Sequence, residues 1–185
     1  MEGWIPASLT GAFEKEVKSA FPYAQIAFRE AEEVEEPPVL LGNKPLIAPY
    51  ETIVAGFALP DPLGIDPTTL MMPFFVCFFG MMVSDAGYGL MMAILIPILI
   101  KIMQPGVGLR KLMLVLFGGG IATVFWCALY NTWVGFAAIP ALGMFDAVNN
   151  SMPVMALCIG LGSVHLFAGL GMGAYVNIRD KKPLD

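Results

Sequence analysis

Residues 73 to 90, "PFFVCFFGMMVSDAGYGL", are apolar apart from a polar interruption at Ser84 and Asp85. Asp85 follows Ser84 and precedes Gly87, Tyr88 and Gly89. A carboxylate exposed to hydrocarbon costs at least about 2.5 kcal/mol at mid-bilayer, so in a membrane it faces protein or water. Two roles suit it: capping a short helix at a turn, or standing on an ion path. Gly87 and Gly89 weaken a continuous helix and allow close packing, which suits the turn. The single histidine, His165, stands in "GLGSVHLFAGLGMG", with Gly162 three residues before it and Gly169 four after. At helical spacing these residues share one face. Gly169 and Gly173 form a small-xxx-small pair, the pattern by which membrane helices approach closely. The imidazole is then either a hydrogen-bonded packing residue or part of a polar path.

Other chemistry is excluded by type and spacing. Cys77, Cys127 and Cys158 all lie in apolar segments and share no ligand spacing. They read as small buried side chains, forming neither disulfides nor a metal site. The glycines at 118–120 and 160–173 have neither the lysine and serine of a phosphate loop nor a dinucleotide fingerprint. With no catalytic constellation, the sequence calls for no metal and no cofactor. The ten basic residues are scattered, which argues against nucleic acid as a partner.

The elements that must hold these residues follow from composition. The chain is 57% hydrophobic and 14% charged, and its mean hydropathy is +0.73. Residues 1–36 hold eight of the fifteen acidic groups, whereas 112–145 and 147–178 contain no charged residue. A membrane helix needs about 20 apolar residues, and both stretches exceed that. In 1–36, Leu9, Phe13, Val17 and Phe21 recur every four residues, as on an amphipathic helix. "YAQIAFRE" then alternates, with Ala24, Ile26 and Phe28 on one side, which predicts a half-buried strand. This head is too small to bury a core alone. Residues 37–70 are proline-rich and predict an irregular connector ending at "IDPTTL", where Asp66 suits an N-cap and Pro67 the first helical position.

The fold expected is an all-α integral membrane bundle in 71–185, with a small α/β remnant of a cytoplasmic domain at 1–36. About four membrane helices are predicted, at roughly 71–84, 87–101, 112–136 and 153–178. The first two could form a short hairpin broken near Asp85, or 71–100 could be one tilted span. Lys101, Arg110 and Lys111 precede one uncharged span, and Arg179, Lys181 and Lys182 follow the next. Both basic clusters therefore lie on one side, which the positive-inside rule makes cytoplasmic, with 137–152 outside. Trp126, Tyr130 and Trp133 lie toward that outer end, where an aromatic belt belongs. The hairpin keeps the N-terminus cytoplasmic; the single span would not. No span contains Lys or Arg, so the charge pair typical of a transporter is missing.

Across the whole chain the motifs resemble the membrane subunit of rotary V/A-type ATPases, called subunit I or subunit a. The resemblance rests on Asp66, Pro67 and Thr68, then Pro73, Phe74 and Phe75, then Phe79, Gly80, Met81 and Met82, then Asp85, Gly87, Tyr88 and Gly89. "EGWIP", "PPVLLGN", "ALYNTWVGF" and "GSVHLFAGL" agree in the same order. Ser84 replaces the family's usual glycine before the aspartate, one small residue for another.

The resemblance implies a partial chain of that subunit: the end of the stalk-binding region and the first helices, without the later helix that carries the rotor-facing arginine. It further implies that Ser84, Asp85, Gly87, Tyr88 and Gly89 form a turn between two short helices. The partners it implies are the rotor ring (c or K subunits), the peripheral stalk subunits, the subunit's own C-terminal helices and the lipid bilayer. Its function would be that of a membrane-sector stator supporting ATP-coupled proton or sodium movement. The other functional classes are a self-standing multi-span transporter or channel whose Asp85 and His165 line a path, and a non-transporting assembly scaffold.

Overall fold

A computed structural model describes residues 3–30, 38–60, 64–130, 132, 150–179 and 181. Among them every regular element is helical: α1 (Thr10–Ala20), α2 (Glu51–Phe57), α3 (Thr68–Val83), α4 (Ala86–Met103), α5 (Val107–Tyr130) and α6 (Met152–Arg179), with short 3-10 turns at Ala7–Leu9 and Ala48–Tyr50. The chain divides into two compact units, one holding 1–40 and 61–63, the other 41–60 and 64–185.

The first unit contains α1 and the irregular segment after it. Leu9, Phe13 and Phe21 stay exposed and α1 buries no residue. The strand expected at Ala24–Phe28 is absent, so the α/β remnant is corrected to helix and coil. Alternation qualifies a segment for a sheet, but a strand needs a neighbour to pair with, and none is described here.

The second unit is built around α5. Along it, Gly119 meets Phe79 and Ala122 meets Gly80, so α3 runs parallel to α5. Thr132, just past α5, accepts the Ala86 N–H, and Gly120 meets Met92, so α4 runs antiparallel. α3 and α4 pack on α5 more than on each other. The start of α3, the end of α4 and the start of α5 therefore share one end of the bundle, and the Ser84–Asp85 turn lies at the other.

The three glycines at 118–120 give α5 this role. Gly118 lies under the Tyr50 hydroxyl, Gly119 under the Phe79 ring and Gly120 against α4. A Cβ on Gly120 would stand 2.8 Å from Met92 Cβ and 3.0 Å from the Gly89 carbonyl oxygen. On the facing helices, a Cβ on Gly80 would stand 2.7 Å from the Ala122 backbone, and one on Gly89 2.9 Å from Thr123. Without side chains in the way, helix backbones can touch, the usual means of helix association where lipid removes the hydrophobic driving force.

Three helices, α4, α5 and α6, are long and apolar enough to cross a membrane. This corrects the expected count of four. α3 is apolar but has 16 residues, about 24 Å of helix against a hydrocarbon core of about 30 Å. α6 buries no residue within this chain. A helix apolar on all sides and unburied in its own chain is suited to lipid or to other membrane helices. The predicted loop 137–152 falls, up to Ala147, Val148 and Asn149, outside the described residues, as do Trp133 and the expected end of the third helix at 136.

Candidate functional site

The break in the apolar run has a local cause. α3 ends at Ser84, which adopts the left-handed conformation (φ 48°), while its hydroxyl donates to the Met81 carbonyl. Asp85 is extended, and its Oδ1 accepts the Gly87 N–H at 2.7 Å. This is an N-cap: the carboxylate satisfies one of the N–H groups left unpaired at a helix start and faces the positive end of the dipole. The Ala86 N–H donates to the Thr132 carbonyl at 3.3 Å, fastening the turn to the far end of α5. Gly89 is buried in the α5 seam, whereas Tyr88 is 61% exposed and points away from it.

His165 lies elsewhere. Its ring stacks on Phe74 at 4.7 Å (30° between planes) and leans on Phe78 at 5.6 Å. Phe78 precedes Asp85 by seven residues, roughly 10 Å along the helix axis. No hydrogen bond joins His165 to Asp85 among the described residues, so the structure does not bring together the two groups that a self-contained ion path would use. Among the described residues nothing lies within 4 Å of a side chain built at Gly162, Gly169 or Gly173. Among the described residues no group of three His, Cys, Asp or Glu is placed to hold a metal ion, and Cys77, Cys127 and Cys158 are free thiols.

A second polar cluster, at the opposite end of the bundle, involves residues that sequence reasoning left unpaired. Glu51, at the start of α2, is buried and accepts Lys111 Nζ at 2.7 Å, a residue 60 positions away on α5. Its other oxygen accepts the Asn43 N–H and Nδ2, each at 3.1 Å. Asn43 Nδ2 also donates to Asp66, whose Oδ1 accepts the Thr68 N–H at 2.8 Å and the Thr68 hydroxyl. Asp66 thus caps α3 as its position suggested, while Asn43 ties that cap to Glu51. Burial by itself would raise both carboxyl pKa values. For Glu51, Lys111 and Asn43 outweigh it, and for Asp66, Thr68 and Asn43 do; both are held below their ordinary values. Tyr50, beside Glu51, covers Gly118 and meets Phe75 edge to face at 6.0 Å. Since Lys111 and Gly118 are two turns apart, the connector is fastened to α5 at two points. One signal was present in the sequence: Glu51 is the sole acidic residue between 37 and 60.

The Asp85 cap makes a specific demand. Replacing Asp85 with Ala is expected to destabilise the membrane unit by about 1 kcal/mol, while Asn, which still accepts from Gly87, keeps most of that. Denaturant titration of the three proteins in micelles measures this; equal stability of Ala and wild type would dismiss the cap.

No protein-family model matches the chain. Among curated proteins it is similar to the A-type ATP synthase subunit I of Methanocaldococcus jannaschii, 30% identical over 97% of this chain and 31% of the relative. It is similar to the same subunit of Methanothermobacter thermautotrophicus, 29% identical over 97% and 29%, and of Thermococcus kodakarensis, 27% identical over 97% and 30%. The chain spans just under a third of the length of these relatives. Near-complete coverage of this chain by the same subunit in three archaea puts it in the A-type ATP synthase subunit I family, as a partial chain.

Proposed function

We propose that this chain is part of the membrane-sector stator of a rotary A/V-type ATPase and supports ATP-coupled proton or sodium translocation. The observation carrying this reading is the similarity to subunit I over 97% of the chain. In this reading 1–36 closes a cytoplasmic stalk-binding region, 37–70 connects it to the membrane, and 71–185 is the membrane part. α3 enters beside α4 as the short arm of a hairpin, with the Asp85 turn at the outer face and the N-terminus cytoplasmic. Fastening the connector to α5 beside Lys111 and Arg110 supports that orientation, because the basic cluster and the connector then share one side.

The partners in this reading are the rotor ring, the peripheral stalk subunits and further helices of the same subunit. The open Cβ positions of Gly162, Gly169 and Gly173 among the described residues, on a helix with no buried residue, suit such helices. Ser84, Asp85, Gly87, Tyr88 and Gly89 are assigned a structural turn, and His165 a packing contact. The test is ATP-driven ion uptake by membrane vesicles from cells with and without the chain. Loss of uptake in its absence, restored by re-expression, is expected. Undiminished uptake would reject the stator role.

A further inference from the structure

The loop between α4 and α5 holds a hollow that neither the turn nor the Glu51 cluster uses. It has a volume of about 430 Å³ and is lined by Ile100, Lys101, Gln104, Pro105 and Arg110. Lys101 belongs to the last turn of α4; Gln104, left-handed at φ 43°, ends that helix sharply. α5 begins three residues later at Val107, so Arg110, in its first turn, faces the same hollow. Two side chains of like charge thus line one hollow, and among the described residues neither has an ion-pair partner. Like charges sharing a small space repel each other, and an anion between them turns that repulsion into attraction.

The surroundings select the kind of anion. The hollow lies at the end of two helices of membrane-crossing length, where a bilayer has its headgroups. Beside it Ile102, Met103, Val107 and Leu109 are exposed and apolar. A ligand matching both features carries a phosphate at one end and hydrocarbon at the other. Arg suits the phosphate through its planar fork of donors, and Lys as a point charge. Basic pockets at the ends of membrane helices are recurrent sites for anionic lipid headgroups.

We propose that the α4–α5 hollow binds the phosphate of an anionic phospholipid, held by Lys101 and Arg110 and oriented by Gln104. The inference stands on the membrane helices alone and does not depend on the ATPase reading. The test is native mass spectrometry of the full 185-residue chain in detergent, titrated with dioleoyl phosphatidylglycerol and, separately, dioleoyl phosphatidylcholine. Wild type is expected to retain one phosphatidylglycerol in preference to phosphatidylcholine. Lys101→Gln and Arg110→Gln should each weaken that lipid about fivefold, and the double variant about 25-fold. Lys18→Gln, on the surface of α1, should change nothing. All three positions are exposed, so folding is expected to survive, and circular dichroism checks it. Equal retention by the double variant and wild type would overturn the proposal. Displacement of the lipid by inorganic phosphate at equal concentration would also overturn it, since the site would then read a free anion and not a lipid.

Discussion

Replacing Gly120 with leucine is expected to destabilise the membrane unit by about 3 kcal/mol. Even a bare Cβ there would approach Met92 Cβ, the Gly89 carbonyl oxygen and the Ala93 nitrogen within 2.8, 3.0 and 3.1 Å. Two of these atoms are backbone and the third is fixed to it, so no rotamer change relieves the clash. Overpacking typically costs 1–3 kcal/mol, and a rigid backbone neighbour puts the cost at the upper end. Separating α4 from α5 would also strip both of their main partner. Gly169→Leu provides the contrast, because nothing lies within 4 Å of its Cβ position. In the isolated chain it should be neutral. Denaturant titration in micelles, followed by helicity, compares the two; similar losses would show that the glycine seam of α5 does not hold the bundle.

The second large effect concerns Lys111→Met. It leaves the buried Glu51 carboxylate with Asn43 alone. A fully buried pair broken in this way costs 3–5 kcal/mol. The Lys111 side chain is 33% exposed, however, so solvent screens the pair and a loss of about 2 kcal/mol at neutral pH is expected. The sign of the pH dependence follows from the depressed Glu51 pKa. A carboxylate held below its ordinary value of 4.5 contributes stability that is present above that value and is lost as pH falls through the depressed one. Wild type should therefore weaken below about pH 4.5, and the gap between it and Lys111→Met should narrow there. Adding Glu51→Gln to Lys111→Met should recover part of the loss at pH 7. Thermal unfolding between pH 3 and 7 provides the check. A gap independent of pH would mean that the lysine acts through packing.

Much of this arrangement was legible in the sequence because its causes are local. A carboxylate and two glycines in an apolar run are at odds with a single lipid-facing helix, and the chain does stop at Val83 and restart at Ala86. Asp66 before Pro67 and Thr68 announced a cap for the same reason. The alternation at Ala24–Phe28 misled because strand formation depends on a neighbour, and local pattern cannot say whether one exists. Glu51 and Lys111 could not be paired in advance, since 60 residues separate them and only the docking of α2 on α5 brings them together. The glycines carry the plainest lesson. Those at 118–120 and those at 162, 169 and 173 are similar in sequence, yet the first group is packed on three sides and the second has no described residue within 4 Å of its Cβ positions. Glycine spacing marks a helix as able to pack closely; the neighbours available decide whether it does.

The most direct test of the central claim is to capture the native polypeptide from its own membranes, in mild detergent, with an antibody to residues 1–36, and to identify what comes with it. The stator reading predicts that rotor-ring and peripheral-stalk subunits co-purify together with ATP-hydrolysing activity. Recovery of the chain free of all of them would contradict it.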